Sequence, residues 1–224
     1  MKKNNSGFAL VLSLILLLVM SLMGGALIVI SSNDHNLNNA SDEYQQTFYA
    51  AETGLLQAER YLIDKYLGDF NAQGIRVTSN RTLPSNSANN YTGTMSINTT
   101  QSSPGLPTGM NNACFNSFPE IDRTNFKIAV AQSWNFGKLF YNGNNPIFPT
   151  GSERTEVSTM LNKYWYQYFI TQIGSAPYRG YGVSVAKGRT DAAEDGMAYR
   201  IYACGIYQPK KIVVPLETVV VLPK

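Results

Sequence analysis

The chain has 224 residues and a formal net charge of only +3, with 15 % charged residues against roughly 25 % in ordinary soluble domains. That length suits one globular domain plus an anchoring segment and is short for two full domains, and the near-neutral balance gives no case for nucleic acid as the main partner. One histidine, His35, and two distant cysteines, Cys114 and Cys204, exclude an ordinary zinc site and argue against a Ser-His-Asp or Cys-His centre.

The first element is apolar. Phe8–Ile30 reads FALVLSLILLLVMSLMGGALIVI, and no charge occurs from Phe8 to Asn33. As a helix this run measures about 35 Å at ~1.5 Å per residue, enough to cross a ~30 Å hydrocarbon core. Lys2 and Lys3 precede it, whereas Asp34, Asp42, Glu43, Glu52 and Glu59 all follow before the next basic residue, Arg60. The positive-inside rule therefore puts the N-terminus in the cytoplasm and the rest outside. Three readings fit the segment: an uncleaved signal anchor, a secretory signal cut near Gly24–Ala26, or a leader removed ahead of an apolar run that stays in the mature protein.

No proline precedes Pro84, so a single helix can run from about Phe8 to about Leu67. Tyr44, Phe48, Ala51, Leu55, Ala58 and Leu62 alternate four and three apart and form one face of its outer half. Glu43, Gln46, Glu52, Gln57 and Glu59 lie elsewhere. A spanning segment running straight into an amphipathic one, about 90 Å in all, suits a helix with two jobs: the first half packs in a membrane or filament core and the second under a head. Gly24–Gly25 is either its softest point, at about 1 kcal/mol per glycine relative to alanine, or a close helix-packing contact.

Residues 71–113 shift to Asn, Ser, Thr, Gly and Pro and read as long surface loops, with one strand expected around Tyr91–Thr99. Strand signals dominate beyond. Phe126–Gln132 alternates loosely. Tyr164–Ile173 reads as a central strand with Tyr164, Tyr166, Tyr168 and Ile170 on one side and Trp165, Phe169 and Ile173 on the other. This aromatic stripe is read as core between helix and sheet in preference to a sugar- or nucleic-acid-binding platform. Gly180–Ala186, Met197–Tyr207 and Lys211–Leu222 complete an antiparallel set, with a turn at Gln208–Lys211 that Pro209 suits. In an oxidising compartment Cys114 and Cys204 pair, closing a loop for which chain entropy gives about 4–5 kcal/mol, and tie the loop region to the sheet edge. The alternative is two buried free thiols.

Catalytic motifs are scarce. There is no P-loop, and Gly180–Tyr181–Gly182 lacks the third glycine of a nucleotide fingerprint. Asp191, Glu194 and Asp195 are the best carboxylate cluster; they read as a solvated turn ahead of a calcium site, since no EF-hand pattern surrounds them. Arg179, Lys187, Arg189, Lys210 and Lys211 read as solvated strand ends and turns ahead of a DNA-binding patch. The sequons at Asn80, Asn90 and Asn98 are expected by chance in so Asn-rich a chain.

Three stretches, MKKNNSG, FALVLSLILLLVMSL and FYAAETGLLQAE, together resemble the N-terminal region of type IV pilins, specifically the PilX minor pilins, over roughly residues 5–62. The Ala50–Glu52 triplet is similar to the A-A-E segment common in PilX proteins. More loosely, YQYFITQIG, AYRIYACGIY and VVPLETVVVL are similar to that family's closing strands. The resemblance implies that prepilin peptidase cuts after Gly7 and methylates Phe8, the new N-terminus. It also implies that residues 71–113 are the variable loop after the helix.

One departure stands out. Most pilins carry Glu at the fifth mature residue, where this chain has Leu12. A buried carboxylate needs a partner, which in pilins is the N-terminal ammonium of the subunit ahead. A subunit with nothing ahead of it needs no such group, so Leu12 fits a tip or initiating position, as in the PilX type and the similar K-type pseudopilins. The plainer account is that Leu12 tightens membrane insertion.

These readings combine into an α+β fold of the type IV pilin kind, with a long helix packed on an antiparallel sheet. Its parts are leader 1–7, transmembrane helix half 8–30, amphipathic helix half 31–67 and head 68–224, loop-rich over 71–113 and β-rich over 120–224. The expected role is structural, with no enzymatic activity, cofactor or metal. The processed chain joins other minor pilins and the major pilin in inner-membrane lipid. It then initiates or caps a pilus at its extracellular tip, where a large tip adhesin is the further partner the resemblance allows. Rival readings are a K-type pseudopilin of type II secretion, for which this head is small, and an adhesin or DNA-uptake receptor on a pilin-like anchor.

Overall fold

A computed structural model describes residues 6–93, 110, 112–141, 152–178 and 194–223. The chain divides into two units, Met1–Tyr44 and Gln45–Lys224. Helix α1, Ser6–Leu67, begins in the first unit and ends in the second. It starts two residues earlier than the pattern suggested and ends where expected. Gly24 and Gly25 do not interrupt it.

In the first unit the helix is uncovered. Leu10, Leu14, Leu18, Leu22 and Ile30 are all more than half exposed. Ser13 and Ser21 are the only polar side chains between Leu10 and Ile30. Their hydroxyls donate to the carbonyls of Leu10 and Leu18, each at 2.9 Å, so the span satisfies its own hydrogen bonds. That is the condition for placing a helix in lipid.

The second unit is built on four strands among the described residues: β1, Val130–Asn135; β2, Tyr164–Tyr178; β3, Glu194–Tyr207; and β4, Ile212–Pro223. They form an antiparallel meander in chain order. Three short α-helices accompany them among the described residues: α2, Ala113–Asn116; α3, Phe136–Tyr141; and α4, Ser152–Leu161. The layout is α+β: one long helix and one antiparallel sheet.

Both faces of the sheet are covered, and this explains why Tyr164 to Ile170 are buried without alternation. Tyr166, Tyr168 and Ile170 of β2, with Tyr199, Ile201 and Ala203 of β3, pack on Ala58 and Leu62 of α1. On the other face Phe169, Tyr202 and Cys204 pack on Cys114, Phe115, Phe118, Ile121 and Ile128. The aromatic stripe is therefore core, as expected, but only its even-numbered residues face the helix. Ile173 departs from the expected pattern: a bulge between Gln172 and Gly174 breaks the alternation, and Ile173 is 52 % exposed.

The helix face differs from the expected one in detail. Its fully buried positions are Thr47, Ala50, Ala51, Ala58 and Leu62, while Tyr44 is exposed and Phe48 and Leu55 are half-buried. Small residues win this face because the helix backbone lies against β3. A Cβ built on Gly205 would overlap the Thr47 carbonyl and approach the Ala51 amide nitrogen.

Other boundaries moved. The strand expected over Phe126–Gln132 begins only at Val130, because Phe126 and Ile128 bond instead to the loop beside them. Tyr91 N–H donates to the Phe126 carbonyl (2.7 Å) and Ser87 N–H to that of Ile128 (2.8 Å). The 71–93 stretch is correspondingly more than surface loop. Asn86 both accepts from and donates to the Gln172 backbone (2.8 and 2.9 Å), and the Tyr199 hydroxyl donates to the Pro84 carbonyl. Tyr91–Gly93 is not strand; the remainder of Tyr91–Thr99 lies outside the described residues, as does Gly180–Ala186. Strand β3 starts at Glu194, three residues before the expected Met197, and β4 runs one residue past the expected Leu222. Pro215 faces Cys204 in the β3–β4 pair, a position open to proline because β4 is an edge strand among the described residues.

Candidate functional site

The features able to carry a function are the exposed helix, the disulfide-braced head and a cleft beside the helix. Gly7 and Phe8 lie in the first turn of α1. Leu12 lies four residues beyond Phe8 and is 55 % exposed among similarly exposed apolar neighbours. The helix is long and apolar enough to cross a membrane, which points to membrane anchoring.

The outer half of the helix carries a second apolar stripe that the pattern analysis missed. Tyr49, Leu56 and Ile63 recur every seven residues on the face turned away from the sheet and are 58 %, 64 % and 43 % exposed. Phe70, seven residues on and just past the helix end, is 53 % exposed. Glu52 flanks the stripe on one side and Arg60 on the other. A seven-residue spacing is how one helix presents a seam to another. The spacing was available in the sequence; it was masked by the stronger pattern on the opposite face.

Cys114 and Cys204 form a disulfide with Cα atoms 5.5 Å apart, both fully buried. Cys204 lies within the penultimate strand, as expected, but that strand is not a sheet edge. It sits on β3, between Gln167 of β2 and Pro215 of β4, so the bond ties the α2 layer to the middle of the sheet. Beside it Phe169 is ringed by Tyr91, Phe115, Phe118, Phe126 and Tyr202, with centroids 4.8–5.9 Å away. Burial pushes the Tyr91 hydroxyl well above its ordinary range.

A cleft of about 260 Å³ opens between α1 and β1. Its floor is Tyr166 and Tyr168, whose hydroxyls burial also pushes up. Gln57, Arg60, Tyr61 and Asp64 form the helix wall, and Gln132 and Trp134 the strand wall. Asp64 accepts from Arg76 at 2.7 Å and lies 3.7 Å from Arg60.

Of the carboxylate cluster, Asp191 lies outside the described residues, while Glu194 and Asp195 open β3 where a turn was expected. Among the described residues no three His, Cys, Asp or Glu side chains gather to hold a metal. Arg179, Lys187 and Arg189 lie outside the described residues, as does Asn98; Lys210 and Lys211 are exposed in the β3–β4 turn, where Lys211 takes a positive φ of 53°. Comparison with protein-family models, with curated proteins and with solved structures finds no match.

Proposed function

We propose that the chain is a filament subunit: a minor pilin of the PilX type that initiates or caps a type IV pilus and resides in the inner membrane before assembly. The observation that carries this reading is the doubly apolar helix. A simple anchor needs an apolar span and nothing more, but α1 continues into a half that packs on its own sheet with one face and leaves Tyr49, Leu56 and Ile63 bare on the other. A bare seven-residue seam calls for neighbouring helices, which a filament supplies. The buried disulfide supports export to an oxidising compartment. Leader removal between Gly7 and Phe8, methylation of Phe8 and a leading position for Leu12 belong to the same reading, with other minor pilins, the major pilin and a tip adhesin as partners.

Intact mass and N-terminal sequencing of the membrane-extracted chain test it: the mature protein should start at methylated Phe8. A start near Leu27 means an ordinary secretory signal and ends the pilin reading. Immunogold labelling then tests the position, because a priming or capping subunit labels one filament end. Label spread along the shaft overturns the tip role alone.

A further inference from the structure

The cleft between α1 and β1 lies over the helix-side core, with the buried Tyr166 and Tyr168 as its floor. Every side chain around it ends in a planar group: an aromatic ring, an amide, a guanidinium or a carboxylate. None is aliphatic. Trp134 lies nearly parallel to Tyr166, at 9° with centroids 6.5 Å apart; Tyr166 is only 1 % exposed, so of the two rings the half-buried Trp134 indole is the one able to meet a ligand.

Gln132 is held in one orientation. Its Oε1 accepts from the Trp134 indole N–H at 3.1 Å and from the Tyr168 hydroxyl at 2.6 Å. With the oxygen engaged twice, the amide NH₂ is the end left for a ligand. Across the cleft, Gln57 offers a second amide, and Arg60 stands beside Asp64, whose carboxylate also accepts from Arg76 outside the cleft lining. The cleft is slightly smaller than the lower end of ordinary drug-sized pockets, which suits a single ring.

We propose that this cleft binds one ring of a neutral β-1,4-linked hexopyranose chain. Such a ring has equatorial hydroxyls at its rim and a flat C–H face. The C–H face stacks on the Trp134 ring, and the rim finds the Gln132 and Gln57 amides and the Asp64 carboxylate. A nucleic acid fits worse, because a single guanidinium beside a carboxylate cannot track a run of phosphates. The proposal is independent of the filament reading.

The test uses the full chain in a detergent whose head group is not a sugar, with cellotriose and N-acetylchitotriose as probes. Ligand-observed saturation-transfer NMR should show binding by at least one, and titration should perturb tryptophan fluorescence through Trp134, since Trp165 is fully buried. Trp134→Ala should weaken binding at least about tenfold, equivalent to ~1.4 kcal/mol, and Gln132→Ala should weaken it as well. Trp134→Phe keeps a ring and should retain most of it, which separates a lost contact from a misfolded head. An unchanged Cys114–Cys204 bond by peptide mapping serves as the fold control. Absence of saturable binding with both sugars overturns the proposal. So does binding that Trp134→Ala and Gln132→Ala leave untouched, or Trp134-dependent binding of an oligothymidine by a chain that ignores both sugars.

Discussion

Gly205 of β3 lies directly beneath Thr47 of α1, so close that any side-chain carbon at Gly205 would collide with the Thr47 carbonyl oxygen. The obstacle is helix backbone, which cannot swing aside as a flexible side chain would. Gly205→Ala should therefore destabilise the head by about 3 kcal/mol, at the upper end for overpacked cores. Gly54, on the same interface, should behave oppositely. A Cβ there would meet Ala203 and Tyr166 at 3.4 Å, which is near ordinary contact. Alanine is the better helix former by about 1 kcal/mol, so Gly54→Ala should be neutral or mildly stabilising. Denaturant midpoints of the two variants check the contrast; equal losses would contradict it.

Cleaving the disulfide should be costly. The bond spans a sequence separation of 90, for which chain entropy gives about 4–5 kcal/mol. Paired Cys114→Ala and Cys204→Ala substitutions should lower the denaturant midpoint accordingly. Peptide mapping of exported, unreduced protein should recover the linked pair. Freely alkylatable thiols at both positions would refute it.

The layout of helix and sheet was legible because its causes are local and strong. The absence of proline before Pro84 permits a helix to Leu67, and the dense aromatics of Tyr164–Ile170 demand burial wherever they fold. What was not legible depends on partners distant in the chain. Ala51, Ala58 and Leu62 are buried as periodicity expected, but Tyr44 and Phe48 are not, and the close approach of Gly205 puts Thr47 in the interface instead. The start of β1 at Val130 follows from hydrogen bonds that Ser87 and Tyr91 make to Ile128 and Phe126. The cleft joins Gln57 and Asp64 to Gln132 and Trp134, and no local pattern announces such a meeting.

Alkali should unfold the head through its tyrosines. Burial raises the folded pKa values of Tyr91, Tyr166 and Tyr168 above the unfolded value of about 10. The folded state thus holds these protons more tightly than the unfolded chain does. Their contribution to stability is complete below pH ~10 and is lost progressively as pH rises towards the folded values. An absorbance titration should show tyrosinate from the buried rings appearing together with loss of structure. Smooth titration of every tyrosine near its ordinary value, with the fold intact, would contradict the burial.

Under the proposed tip role, Leu12→Glu should bring no benefit. The new carboxylate would enter an apolar stretch with no subunit ahead to pair it, a change costing several kcal/mol unless it takes up a proton. Pilus counts should fall or stay level in the variant. Improved assembly would sink the leading position while leaving the pilin reading in place. Deleting the protein should sharply reduce pilus number and leave the remaining filaments normal in shape.

The bond between Cys114 and Cys204 also decides how the molecule carries tension. When α1 and the far end of β4 are pulled apart, force reaching Cys114 crosses the sulfur bridge straight to Cys204. The stretch between them, which includes β1, β2 and most of β3, is bypassed. At ~3.4 Å per extended residue that withholds about 300 Å of contour length. A subunit wired in this way resists traction as a short, stiff link, and only the chain before Cys114 and after Cys204 can pay out.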